Sequence, residues 1–256
     1  MGEALRVGVV LDELYVDADA WAEAPAGSPL REVVEAAAHA GTPVWTLPGG
    51  VLARVSDTVT PQGMVAVAPR RPAALSDLAR PTAAGPLLVL VDVADPGNAG
   101  TLVRTAEAAG AAGVVFAGAC TDPFGPKAVR AAAGSLLRLP VAEAPDAGTA
   151  VAELRAAGRP VVATVASGGA PQEAVELAGP VAVLIGSEAH GLPPELVDEA
   201  DVRLTIPLAS GVESLNAAVA GAVVLFEAAR QRRLASAATT GTDWTTDPST
   251  DRLGDR

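Results

Sequence analysis

Residues 206–233 read IPLASGVESLNAAVAGAVVLFEAARQRR, and the reading of this stretch decides the reading of the chain. A short β-type run, Val202–Ile206, leads into Pro207 and a loop of small residues. A long apolar helix is then expected to open at Ser214. Ser214 suits an N-cap, because its hydroxyl can accept an otherwise unpaired first-turn N–H. Backbone N–H groups at such a helix start favour a hydrogen-bond-accepting or partly negative ligand. The interior, Ala217–Ala229, is nearly all Ala, Val, Gly and Leu, which predicts a helix buried on most of its surface. Taken alone, the stretch reads as a Ser-capped core helix.

Upstream, uniformly apolar runs alternate with helical patterns. Leu87–Asp92, Gly113–Phe116, Pro160–Val165, Val181–Ile185 and Val202–Ile206 predict strands. Ala99–Gly110, Lys127–Gly134, Gly148–Ala157 and Leu192–Glu199 predict helices, and Leu137–Val141 an extended segment. Strands apolar at every position are buried on both faces, so the pattern predicts an α/β fold with a parallel sheet and helices on both sides. Ligands bind such sheets at the carboxyl ends of the strands.

Residues 1–68 predict a separate small α/β unit. Its β-type runs are Arg6–Val10, Glu13–Val16, Thr42–Leu47 and Gly63–Val67, with a helix near Leu30–Ala40 and a helical turn near Gly50–Val55. Thr60-Pro61-Gln62-Gly63 marks a turn. Residues 69–86 form a proline-rich linker carrying Arg70, Arg71 and Arg80, with a short helix around Ala74–Leu78. The sheet domain spans 87–235. Residues 236–256 lack periodicity and predict a disordered tail.

Half of the 256 residues are hydrophobic, enough for a sizeable core in one or two domains. One cysteine, Cys120, excludes a disulfide framework and fits a reducing cytoplasm. The Met1 region carries no signal pattern and no apolar run reaches bilayer length, so no membrane association is expected. A net charge of −12 argues against nucleic acid as a partner. Phosphate contacts depend on local charge, however, and Arg104, Lys127, Arg130 and Arg138 lie near the candidate loops.

Two more constellations join the opening one. Asp95-Pro-Gly-Asn98-Ala-Gly-Thr-Leu-Val-Arg104 puts Asn98 in a turn and Arg104 inside a small-residue helix. A buried Arg there would need a partner, which makes a functional Arg as plausible as a surface one. Gly186-Ser-Glu188-Ala-His190-Gly-Leu192 follows a strand directly, and its glycines permit close backbone approach to a ligand. Neither stretch matches a dinucleotide fingerprint or a phosphate loop.

In order and spacing, Asn98–Arg104, Gly186–Leu192, and Ile206-Pro-Leu with Ser214-Leu-Asn216 resemble motifs one, two and three of the SpoU (TrmH) family of RNA ribose methyltransferases. The resemblance covers roughly Leu87–Arg233 and includes Lys127–Gly134 as the middle segment. It implies a C-terminal trefoil knot and S-adenosylmethionine as cofactor. Gly186, Ile206 and Leu215 would line the cofactor site, with Thr164 and Leu208 adjacent, so Gly186→Val should block binding without unfolding the protein. Asn98, Arg104, Glu188, Ser214 and Asn216 would surround the target ribose. Arg104 would act as base or as phosphate holder, oriented by Asn98. Arg104, Lys127 and Arg130 would contact RNA, ribosomal ahead of transfer RNA. No metal is implied. A homodimer is expected, through the helix Ser214–Arg233. The first unit resembles the family's accessory RNA-recognition domain, with Val59-Thr-Pro-Gln-Gly63 matching its end. Its usual opening strand has no counterpart, so the unit is expected to be N-terminally incomplete. Two other readings stay open: a non-catalytic RNA-binding or assembly factor of the same fold, and a nicotinamide-dependent dehydrogenase.

Overall fold

The computed structural model describes residues 1–55, 62–81 and 85–240. Residues 60 and 61 of the turn at 60–63 fall outside them, as do residues 59–61 of the match at 59–63 and the part of the tail beyond 240. The first unit contains α1 (Gly2–Arg6), β1 (Glu13–Asp17), α2 (Ala18–Glu23), α3 (Pro29–His39), β2 (Val44–Leu47), α4 (Val51–Val55) and β3 (Met64–Val67). After α5 (Leu75–Ala79) come β4 (Leu87–Val91), α6 (Pro96–Ala108), β5 (Gly113–Ala117), α7 (Pro126–Ala131), β6 (Val141–Ala144) and α8 (Ala147–Ala156). The chain then forms β7 (Val161–Thr164), β8 (Ala170–Pro171), β9 (Ala182–Ile185), α9 (Pro194–Glu199), β10 (Val202–Thr205) and α10 (Ala217–Thr240).

In the first unit β1 is central, parallel to β2 and antiparallel to β3. Leu14 and Val16 of β1 pack with Val34 and Ala37 of α3, which makes a small core of four buried side chains. The expected strand at Arg6–Val10 is not formed. Residues up to Arg6 are helical, and the backbone turns at Gly8 with φ 75°. The alternation of Val7, Val9 and Val10 is β-like, but burying Ala4 against α3 holds this segment as helix and turn.

The second sheet has seven strands in the order β6-β5-β4-β9-β7-β10-β8, all parallel. Strand periodicity divides its side chains between two cores. Leu88 and Leu90 of β4, with Val183 and Ile185 of β9, pack against α6 and α10. Leu87, Val89 and Val91, with Ala182 and Leu184, pack against α5, α8 and α9. Burial on both faces is why these strands read as unbroken apolar runs.

Several boundaries differ from the sequence reading. Helix α6 begins at Pro96, since the Asp95 carboxylate accepts from the Asn98 N–H at 2.8 Å and Pro96 occupies the first helical position. Asn98 is therefore in the first helical turn. Helix α7 stops at Ala131, where Ala133 and Gly134 take left-handed φ values of 48° and 91°. Instead of an extended Leu137–Val141, a 3-10 turn spans Ser135–Leu137 and the strand starts at Val141. Helix α10 opens at Ala217, not at Ser214. Its cap is Asn216, whose Oδ1 accepts from the N–H groups of Ala218 and Val219. The helix runs through residues 236–240, placed in the tail from sequence, and it is not buried all round. Val219 and Phe226 are 49% and 48% exposed.

Arg159 went unnoticed in the sequence. It is 1% exposed, and its guanidinium donates to the carbonyls of Leu78, Ala79, Arg80 and Pro180, each at 3.1 Å. It ties the end of α5 to the sheet domain, and burial lowers its pKa. Two surface contacts bring the first part of the chain onto the sheet domain. Arg138 pairs with Glu3 at 2.5 Å and with Glu107, and Arg70 reaches Glu143 at 2.5 Å and stacks over Phe124.

Candidate active site

The carboxyl ends of β7, β9 and β10 open onto one cavity of about 380 Å³. Thr164 ends β7, Gly186 follows β9, and Ile206 and Leu208 follow β10; Leu215 closes the cavity just before α10. All five residues expected from sequence at the cofactor site therefore line a single hollow. The sheet explains this: β9, β7 and β10 are neighbours, so their exits converge. The Thr164 hydroxyl donates to the Leu184 carbonyl at 2.7 Å, so its side chain is held toward β9.

The loop after β9 is a tight reversal. Ser187 and Gly191 exchange both backbone hydrogen bonds, at 3.1 and 2.9 Å, and the His190 N–H donates to the Ser187 hydroxyl at 3.1 Å. Gly186 is buried beneath it. A Cβ on Gly186 would run into the backbone of Gly191 and Leu192. The expectation that a larger residue here would project into the cavity is thus corrected: it would push the loop away.

The reversal also places Glu188. Its Oε1 accepts from Asn98 Nδ2 at 2.8 Å, and Asn98 Oδ1 accepts from Asn216 Nδ2 at 3.1 Å. Asn216 meanwhile caps α10 with its own Oδ1. Three distant stretches thereby meet in one chain of hydrogen bonds, at the rim of the cavity that Glu188 and Ser214 also line. Asn98 bonds Glu188 and Asn216, so the expectation that it orients Arg104 is not met.

Arg104 is exposed on α6. Among the described residues its guanidinium has no hydrogen-bond or ion-pair partner. The expectation of a buried Arg gives way to helical geometry: Leu102, Val103 and Ala106 face the core, and position 104 faces solvent. Lys127 lies on the adjoining α7, 3.7 Å from Asp95, and Arg130 is exposed on the same helix. These helices approach closely because Gly100 leaves room for Ala128 and Ala131; a Cβ there would collide with both. Arg138 is removed from this basic set, because Glu107 and Glu3 both hold it.

The cavity is lined by two carboxylates, Glu188 and Glu213, and by no lysine or arginine among the described residues. Glu213 and the flanking Val165 and Ala166 escaped the sequence reading; only their nearness to Thr164 and Ser214 could have signalled them. Apolar walls from Ile185, Leu204, Ile206 and Leu208 suit a flat ring, and the carboxylates suit a cation.

Comparison with known proteins shows the family of the chain. Residues 85–226 match the SpoU rRNA Methylase family, and residues 2–73 match the RNA 2'-O ribose methyltransferase substrate-binding family. The chain belongs to the SpoU family. An uncharacterised tRNA/rRNA methyltransferase of Mycolicibacterium vanbaalenii is 37% identical over 238 residues, covering 91% of this chain and 74% of the relative. The 23S rRNA (guanosine(2553)-2'-O)-methyltransferase RlmP of Bacillus subtilis is 34% identical over 186 residues, covering 73% of this chain and 72% of that protein. The crystal structure of an AdoMet-bound rRNA methyltransferase from Sinorhizobium meliloti superposes with a TM-score of 0.78 at 34% identity, covering 90% of this chain and 83% of the other.

As a SpoU enzyme, the chain is an RNA 2'-O-methyltransferase that uses S-adenosylmethionine. Neither the dehydrogenase reading nor the non-catalytic one survives this match. The parallel seven-stranded sheet with its preceding substrate-binding unit is the family's architecture. Among the described residues no helix is long and apolar enough to cross a membrane.

Proposed function

We propose that this enzyme methylates a ribose of ribosomal RNA in the cytoplasm, as a homodimer, with the cavity residues in the roles the family motifs suggest. The observation that carries the reading is the Glu188–Asn98–Asn216 chain at the rim of a cavity lined by Thr164, Gly186, Ile206, Leu208 and Leu215. The cofactor, when bound there, supplies an electrophilic methyl group. Ile206, Leu208 and Leu215 would sandwich its ring, backbone groups around Gly186 would bond its polar edges, and Glu188 and Glu213 would favour its positive charge.

Asn98, Glu188, Ser214 and Asn216 would hold the ribose hydroxyls. Because Asn98 is fixed at both ends of its amide, the hydroxyl meets a preorganised set of partners rather than mobile side chains. Arg104, with no partner to displace among the described residues, would bind the adjacent phosphate and stabilise negative charge on the attacking oxygen. A guanidinium stays protonated, so the proton would leave to phosphate or water and not to Arg104. Arg130 and Lys127 would continue the phosphate contacts along α7.

The dimer reading rests on α10, where the apolar side chains of Val219, Phe226 and Leu234 stay exposed. The knot reading rests on strand order. Strand β9 inserts between β4 and β7, and the chain then passes to β10 on the far side of β7. Residues 1–68 would form the recognition domain, 69–86 the linker and the residues from 87 onward the knotted domain, with α10 carrying it through Thr240. Calorimetric titration tests the cofactor assignment. One S-adenosylmethionine per chain and no NADH binding are expected; failure to bind S-adenosylmethionine would remove it.

A further inference from the structure

A second cavity, of about 610 Å³, lies against the loop Ser187–Gly191, which walls both it and the cofactor cavity. Ala94, Ala119, Leu192, Pro193 and Pro194 make most of its remaining lining, which is apolar. Asp92 adds a carboxylate at the end of β4. Asp92 adopts a φ of 54°, a left-handed conformation rarely taken by residues other than glycine, Asn and Asp. Its Oδ1 accepts from the Ala119 N–H at 2.6 Å, which fixes the carboxylate against the β5 exit. Such backbone conformations persist only where the surroundings hold them, and they gather at functional sites.

We propose that this second cavity receives the base of the target nucleotide and that Asp92 selects guanine. The proposal rests on the ribose site described above. Glu188 belongs to both cavities, so a ribose held at Asn98 and Glu188 has its base one glycosidic bond from this volume. Proline, leucine and alanine surfaces accept the faces of a flat ring. A carboxylate only accepts hydrogen bonds, with about four lone-pair positions, so one oxygen bonded to Ala119 leaves capacity for two more donors. Guanine presents two donors side by side, N1–H and the N2 amine. Adenine and cytosine place a ring-nitrogen acceptor beside their amine, and uracil flanks N3–H with two carbonyls. Each of these would turn a lone pair toward Asp92.

Asp92→Asn is the informative variant. Asn keeps an oxygen for Ala119 and tolerates the left-handed backbone, but replaces an acceptor by a donor. The full-length protein, loaded with S-adenosylmethionine, is titrated with GMP, inosine monophosphate and AMP by ligand-observed NMR. GMP should bind at least about tenfold more tightly than AMP, the scale of one paired base contact, with inosine monophosphate between them. Asp92→Asn should abolish the GMP preference and leave S-adenosylmethionine affinity, read by calorimetry, unchanged. Equal GMP and AMP affinities in the natural protein, or an unaltered preference in Asp92→Asn, would overturn the proposal. Nucleoside mass spectrometry of ribosomal RNA treated with the enzyme separates the two levels. 2'-O-methylguanosine supports the assignment to Asp92. A different 2'-O-methylnucleoside overturns it and leaves the ribose reading intact, and no 2'-O-methylnucleoside at all overturns both.

Discussion

Asn98 and Glu188, 90 positions apart in the chain, are joined by a hydrogen bond of 2.8 Å from amide Nδ2 to carboxylate Oε1. The bond fixes which way the Asn98 amide faces, because Nδ2 must point at the carboxylate, and this leaves Oδ1 for Asn216. Removing the partner should therefore damage geometry more than binding. In Glu188→Ala the Asn98 amide keeps only its bond to Asn216, and its Nδ2 end loses its anchor. Turnover is expected to fall by about a hundredfold, the scale of losing a preorganised polar contact, with S-adenosylmethionine affinity within a few-fold of normal. Full turnover in this variant would show that the bond has no catalytic use.

Arg104 gives a cleaner dissection, since among the described residues its guanidinium holds no partner. Arg104→Ala should leave both the melting temperature and cofactor affinity unchanged and reduce methyl transfer by about a hundredfold or more. Arg104→Lys should recover part of that, because a point charge replaces the fork. Single-turnover kinetics with saturating cofactor would measure both. Near-normal turnover in Arg104→Ala would exclude the residue from the reaction.

At Gly186 the expected damage is to the loop. In Gly186→Ala the new Cβ displaces the backbone of Gly191 and Leu192, and Glu188 is carried with it. Cofactor affinity and the Asn98 contact should be lost together. Calorimetry on Gly186→Ala, beside turnover at saturating cofactor, would show whether the two effects are linked; tight binding with full activity would contradict the close approach.

Arg159 carries a prediction about stability alone. In Arg159→Met four carbonyls lose their donor at once, those of the buried residues Leu78 and Ala79 and the less buried ones of Arg80 and Pro180. Each unsatisfied buried group costs about 1–3 kcal/mol, so a loss of about 3 kcal/mol or more is expected in urea denaturation. A change under about 1 kcal/mol, within the range of an ordinary surface substitution, would mean the carbonyls find water.

Acid stability should follow the carboxylates held below their ordinary range, among them Glu107, Asp201 and Asp95. The Arg138 hydrogen bond lowers the pKa of Glu107, the Val161 N–H and then Arg155 lower that of Asp201, and the Asn98 N–H and then Lys127 lower that of Asp95. A depressed folded pKa stabilises the protein above the ordinary carboxylate range, about pH 4, and the benefit is lost as pH falls through the folded values. These groups should thus leave the melting temperature level from neutral pH to about 5 and lower it below 4. Asp201→Asn should flatten part of the acid limb. An unchanged acid limb in that variant would contradict the assignment.

What the sequence made legible was whatever depends on local pattern. Strands buried on both faces, such as Leu87–Val91 and Ala182–Ile185, show themselves as unbroken apolar runs, and their alternation with helices gave the parallel sheet. The five cavity residues were found because the resemblance to the family carried its cofactor positions onto them. Contacts that cross the fold left no such trace. Nothing near Arg159 foretells four carbonyls converging from residues 78–80 and 180. Arg104 looked buried because its neighbours are small and apolar, whereas helical rotation turns it to solvent. The cap of α10 was misplaced by two residues because Ser214 and Asn216 are comparable N-caps, and the cavity wall at Leu215 decides between them.

The central claim is that the chain methylates a ribose 2'-hydroxyl of ribosomal RNA. Tritiated S-adenosylmethionine and ribosomal RNA lacking the modification, incubated with the enzyme and then hydrolysed with alkali, test it most directly. A methylated 2'-oxygen cannot attack the neighbouring phosphate, so the account predicts label confined to alkali-resistant dinucleotides. Label released entirely as mononucleotides would contradict it.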